Sequence, residues 1–181
     1  MTKRVRPMSN EEFDENVVPF FQKTLPLLSS AVFLLFAYVP LNVTMFNNVR
    51  PDLGLVCIYF WLLHRPDLFG LTSIVFLGLL SSAVSSALPG ISLLAYLVMY
   101  VLVYNTQKLF NAKPFVVVWY GFMALSLAVL LVKWLAASIY YSRFLPLSML
   151  MFGYFIAVAV YPLVSMILAF VQNKFIQEES L

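Results

Sequence analysis

The chain has 181 residues, of which 62% are hydrophobic and only 10% charged, with a net charge of +3 at neutral pH. A soluble domain is nearer half apolar and a quarter charged, so this composition excludes an ordinary water-soluble fold and makes the bilayer the medium for most side chains. The charge is spread over connections rather than gathered into a patch, which excludes a nucleic-acid binder.

In lipid each segment must satisfy its own backbone hydrogen bonds. Long apolar runs without polar alternation therefore predict helices and not a β-barrel. Residues 1–24 hold Lys3, Arg4 and Arg6 and then Glu11, Glu12, Asp14 and Glu15. They lack the apolar core and small-residue cleavage site of a secretory signal, and are expected to form a cytoplasmic tail. Six apolar segments follow, at about Leu25–Phe46, Leu53–His64, Leu68–Leu88, Ile91–Asn105, Phe115–Tyr140 and Pro146–Val171. The expected architecture is one all-α transmembrane domain over residues 25–172, closed by a short cytoplasmic tail, 173–181.

A helix needs about 20 residues to cross a 30 Å hydrocarbon core. The first, third, fifth and sixth segments meet that length, and the fourth does so by borrowing residues at its ends. The second does not: Pro51 to His64 gives roughly 21 Å at 1.5 Å per residue. Charge argues that it crosses nevertheless. With six spans and an internal N-terminus, the four N-terminal basic residues, Arg65, Lys108, Lys113 and Lys174 lie inside, against Arg50 and Arg143 outside. If the second segment does not cross, the bias vanishes. The positive-inside rule therefore predicts six spans with both termini cytoplasmic, and a short second helix that thins the bilayer or is shielded by longer neighbours.

Few side chains offer chemistry. Lys133 lies in the fifth segment near its outer end, beside Trp134 and before Tyr140 and Tyr141, which read as an aromatic belt. Intramembrane charges are functional candidates. The carboxylates Asp52 and Asp67 sit at helix ends, so no partner within a span is evident, and Lys133 is expected to snorkel to the interface or meet a partner. His64 is a lone histidine, and metal binding needs more ligands than surround it. No serine has a histidine and acid in a triad pattern, and no glycine-rich phosphate loop is present. The sequence thus predicts neither metal nor cofactor nor catalysis. Cys57, the sole cysteine, reads as a small buried hydrophobe.

Two Arg-Pro-Asp-Leu turns bracket the second segment. Proline suits the first turn of a helix, and an aspartate beside it faces the positive end of the helix dipole. Arg50-Pro51-Asp52 and Arg65-Pro66-Asp67 are thus expected to start helices on opposite sides of the membrane. The third segment carries Gly78, Ser82 and Ser86 at i, i+4 and i+8, flanked by Ser81 and Ser85. Such a small-residue stripe lets membrane helices approach closely, within the bundle or with a partner. Pro89-Gly90 predicts a tight turn. Tyr96, Tyr100 and Tyr104 share one face of the fourth segment, and their hydroxyls require polar partners. Pro40 and Pro162 are expected to kink the first and last helices.

The stretch RPDLGL…YFWLLHRPDLFG resembles MreD, the small membrane component of the bacterial rod-shape system, in its alphaproteobacterial branch. The resemblance continues through Gly78–Gly90, Lys113-Pro-Phe115 and Trp119-Tyr-Gly121, and covers about residues 25 to 175. The family typically reads G-x-x-x-D-x-x-x-G-x-x-x-G where this chain has Gly78, Ser82, Ser86 and Gly90. Its aspartate is therefore replaced by Ser82, and no role of that acid carries over. The resemblance implies a non-enzymatic inner-membrane partner of MreC, which helps connect MreB filaments with the cell-wall glycosyltransferase and transpeptidase. It also implies a fold similar to the six-helix substrate-binding subunits of vitamin importers. That likeness supplies the rival expectation of a capture subunit, with a polar outer cavity that Trp134, Tyr140, Asn42 and Asn47 could line. Candidate packing or partner-binding residues are Arg50, Pro51, Asp52, Gly78, Ser82, Ser86, Gly90, Tyr96, Tyr100, Tyr104 and Lys133.

Overall fold

The computed structural model describes residues 10–38, 51–85, 90–110, 113–144 and 146–176, and all of its regular structure is helical. The helices are α1 (Asn10–Tyr38), α2 (Leu53–His64), α3 (Leu71–Val84), α4 (Ile91–Phe110), α5 (Phe115–Tyr140) and α6 (Leu147–Ile176). Three of them, α4, α5 and α6, are long and apolar enough to cross a membrane. The apolar parts of the others, Thr24–Tyr38, Leu53–His64 and Leu71–Val84, are shorter.

The shortest helix is the centre of the molecule. α2, with 12 residues, has Leu53 through Leu62 buried without interruption. Its sequence, LGLVCIYFWLLH, is apolar on every face, as a helix enclosed on all sides must be. It touches all five other helices. Those five form a ring in the order α1, α3, α4, α5, α6, with α6 returning to α1. Phe36, Phe76, Phe155, Met166 and Phe170 stand on the outside of that ring, an apolar surface that suits lipid and not water. The expectation that longer neighbours shield α2 is met in this arrangement. Cys57 is fully buried within it.

Contacts between helix ends fix the course of the chain. Tyr38, the head of α2, the end of α3, the first turns of α4 and the last turns of α5 meet at one end. His64, the end of α4 and the start of α5 gather at the other. The chain therefore runs back and forth between two ends. The middle is tied by hydrogen bonds from side chains to main-chain carbonyls. Tyr59 donates to Val118 at 2.9 Å, Trp119 to Val158 at 3.1 Å and Tyr154 to Met123 at 3.0 Å. Tyr59, Phe122 and Tyr161 pack ring on ring with centroids 4.6 to 5.8 Å apart.

Several elements differ from expectation. α3 is 14 residues long, not the full Leu68–Leu88 run. Ser85 takes an extended conformation and stops it, while Leu68 and Phe69 belong to the preceding turn. Pro66-Asp67 does not start that helix: Gly70 is its N-cap. α4 reaches Phe110, so it does borrow Thr106 and Gln107. α1 is helical from Asn10, ahead of the apolar run. Pro162 is carried inside α6, which continues through it. Pro40 lies outside the described residues.

Candidate functional site

α2 begins at an N-cap aspartate. The Asp52 side chain accepts from the Leu55 main-chain N–H at 3.3 Å, filling one of the donors that a helix start leaves open. The same oxygen accepts from the Tyr96 hydroxyl at 2.8 Å. The other oxygen accepts from the Lys133 ammonium at 2.5 Å. Asp52 thereby joins α2 to α4 and α5 with one carboxylate. This overturns the expectation that Lys133 lacks a carboxylate partner. Asp52 is at a helix end along the sequence, but α2 is so short that its head sits at the depth of Lys133 within its longer neighbours.

A chain of hydroxyls extends the pair. Tyr96 Oη lies 3.3 Å from Ser81 Oγ, and Tyr38 Oη is also 3.3 Å from that oxygen. A carboxylate only accepts, so the single Tyr96 proton goes to Asp52. Ser81 then donates to Tyr96, and Tyr38 to Ser81. Residues of α1, α3, α4 and α5 thus converge on the N-cap of α2. Gly54 makes the approach possible: a Cβ there would collide with the Tyr96 hydroxyl.

The pair is neither dry nor exposed. Lys133 and Asp52 keep 21% and 25% of their side-chain surface, which places it between surface pairs, worth at most about 1 kcal/mol, and fully buried ones, whose disruption costs about 3–5 kcal/mol. Both residues line a cavity of about 290 Å³, together with Tyr38, Ser85, Ser92 and Tyr141. They also line a smaller one of about 140 Å³ with Ser126 and Tyr154. The larger cavity offers a carboxylate, an ammonium and hydroxyls beneath apolar walls. It can pin helices together, and it can present paired charges to a small zwitterionic molecule.

The remaining expected residues fall as follows. Pro51 precedes the cap, while Arg50, Ser86, Asn42 and Asn47 lie outside the described residues. Gly78 is buried where α3 crosses α4, and a Cβ there would stand 2.8 Å from the Leu93 Cα. Gly78 therefore serves packing within the bundle. The buried face of the stripe is Gly78 with Ser81, rather than Ser82, whose hydroxyl accepts from the Gly90 N–H at 3.4 Å. Gly90 has φ of +95°, as the expected tight turn requires. The three tyrosines do not act as one face. Tyr96 is fully buried, whereas Tyr104 is 61% exposed and stacks with Tyr100 at 6.0 Å. Four-residue steps overshoot a full turn by about 40° and rotate the row off the core. Trp134 and Tyr140 do not line the cavity. Trp134 stacks on Phe144, and Arg143 lies over Tyr141, beside Tyr140. Among the described residues no three His, Cys, Asp or Glu side chains gather as a metal site.

Sequence reading missed the Asp52–Lys133 pair and the part played by Ser81 and Gly54. The available signal was that the expected topology puts Lys133 and Asp52 near the same ends of their segments. No family model, curated protein or solved structure matches the chain.

Proposed function

We propose that this chain is a six-span protein of the bacterial inner membrane with both termini in the cytoplasm. It acts as a non-enzymatic scaffold of the elongasome, binding MreC and through it coupling MreB filaments to the lateral cell-wall synthases. One observation carries the reading. The Arg50–Gly70 stretch that resembles MreD contains the central helix and both of its end turns, the element around which the other five helices are organised. Charge supports the orientation. Arg65, Lys108, Lys113 and Lys174 are at one end, while the other has Arg143 and the neutralised Lys133. α2 covers only about 18 Å, and its sheath of longer helices lets it cross without facing lipid.

A second reading, a substrate-capture subunit of a micronutrient importer, is favoured by the 290 Å³ cavity over the ion pair. Depletion in the native host separates the two. The scaffold predicts rounded cells with dispersed wall insertion in vitamin-replete medium. Rod-shaped cells whose growth returns on adding one vitamin would reject the scaffold and establish capture.

A further inference from the structure

The end of the bundle remote from Asp52 holds a second polar assembly that neither reading uses. Two cavities meet at His64. One, of about 260 Å³, is lined by Phe60, His64, Lys113 and Phe115 at one side and Tyr161, Ser165, Met166 and Ala169 at the other. The second, of about 280 Å³, is lined by Leu63, His64, Pro66, Gln107 and Lys108. The imidazole between them is held in place. Its Nδ1 is 2.9 Å from the Phe60 carbonyl, and its ring stacks on Phe60 with centroids 4.2 Å apart. A carbonyl only accepts, so Nδ1 donates to it.

The charges here are not spent on one another. Arg65, Lys108 and Lys113 make no ion pair among the described residues, and the nearby acid in the turn, Asp67, is exposed without one. Two ammonium groups and an imidazole thus border adjoining hollows, one of which has apolar walls that open toward the exposed Met166. Lysines at the mouth of a groove between membrane helices match a phosphate, and apolar walls match a hydrocarbon chain.

We infer that this double cavity binds one anionic phospholipid. Its phosphate sits between Lys108 and Lys113, and an acyl chain follows Phe115 and Met166 along the α5–α6 groove. The inference needs the bundle to lie in a bilayer but is independent of the rod-shape and capture roles, because it concerns the opposite end from the Asp52 cavity.

The test uses the full chain purified in detergent, with bound lipid counted by native mass spectrometry. Phosphatidylglycerol, phosphatidylcholine and inorganic phosphate are supplied in parallel. The expected result is one retained phosphatidylglycerol per chain under conditions that strip phosphatidylcholine, with no comparable stabilisation of thermal unfolding by inorganic phosphate. K108Q/K113Q should weaken that binding about 25-fold, at about fivefold per lysine, while keeping the elution volume of the parent. R65Q removes a neighbouring charge that lines neither cavity, and should weaken it less than threefold. Equal retention of both lipids would overturn the site. So would a loss in R65Q as large as in the double variant, which marks general surface attraction. Stabilisation by inorganic phosphate equal to that by phosphatidylglycerol would overturn the lipid assignment.

Discussion

At one end of the bundle Pro51-Asp52-Leu53 leads straight into α2. At the other, Pro66-Asp67-Leu68 closes a turn, and α3 starts only at Leu71. The two tetrapeptides around these residues are identical, Arg-Pro-Asp-Leu in both. The first is followed by Gly54, whose bare Cα admits Tyr96 to the carboxylate. The second is followed by Phe69, which is 1% exposed and pulls the turn into the core before Gly70 starts the helix. Asp52 is consumed by a cap, a tyrosine and a lysine, while Asp67 is exposed. The same local signal becomes a charged latch or a plain turn according to what the next residue lets approach.

This comparison can be broken or sharpened by substitution, read as thermal unfolding in detergent. The largest effect is expected where the second turn is anchored: F69A should cost about 3 kcal/mol, in the range for a buried phenylalanine truncated to alanine. Tolerance of that change would mean that the turn is held by something other than its aromatic plug. D52A and K133A should each cost about 2–3 kcal/mol, below the fully buried figure because both side chains keep some exposure. D52A/K133A together should cost less than the two single changes added, and strict additivity would deny that the groups are coupled.

The glycines give a middle-sized contrast. G54A should lose about 1–2 kcal/mol by displacing Tyr96. G70A should cost only about 0.5 kcal/mol, the N-cap preference for glycine over alanine, since a Cβ there finds its nearest neighbour at 4.0 Å. Equal effects would erase the distinction between the turns. Y96F removes one charge-assisted hydrogen bond and should cost about 1–2 kcal/mol. D67N should leave the unfolding midpoint unchanged, and a drop matching that of D52A would show Asp67 to be a second latch.

Much of the helical plan was legible in the sequence, because uncharged runs in a bilayer have few alternatives to helix. The centrality of α2 was foreshadowed by its lack of any polar face, and the role of Asp52 as a helix cap by its place before Leu53. Tertiary depth was not legible. Lys133 looked unpartnered because pairing was sought within a span, whereas the head of a short central helix reaches the same level. The tyrosine row misled because a four-residue spacing drifts around a helix. That Ser81 rather than Ser82 is the buried serine depends on where α4 crosses α3, which no local pattern encodes.

The proposed rod-shape scaffold is organised around α2 and latched by Asp52 and Lys133. It is tested most directly by depleting the native protein and complementing with D52K, K133D or D52K/K133D, matched for membrane abundance, while cell shape is followed. The account predicts round cells with either single reversal and no recovery with the double reversal, because a lysine at position 52 cannot accept from the Leu55 N–H or the Tyr96 hydroxyl. Rod-shaped cells after depletion without any complementing copy would contradict the rod-shape role. Rods from both single reversals would contradict the latch.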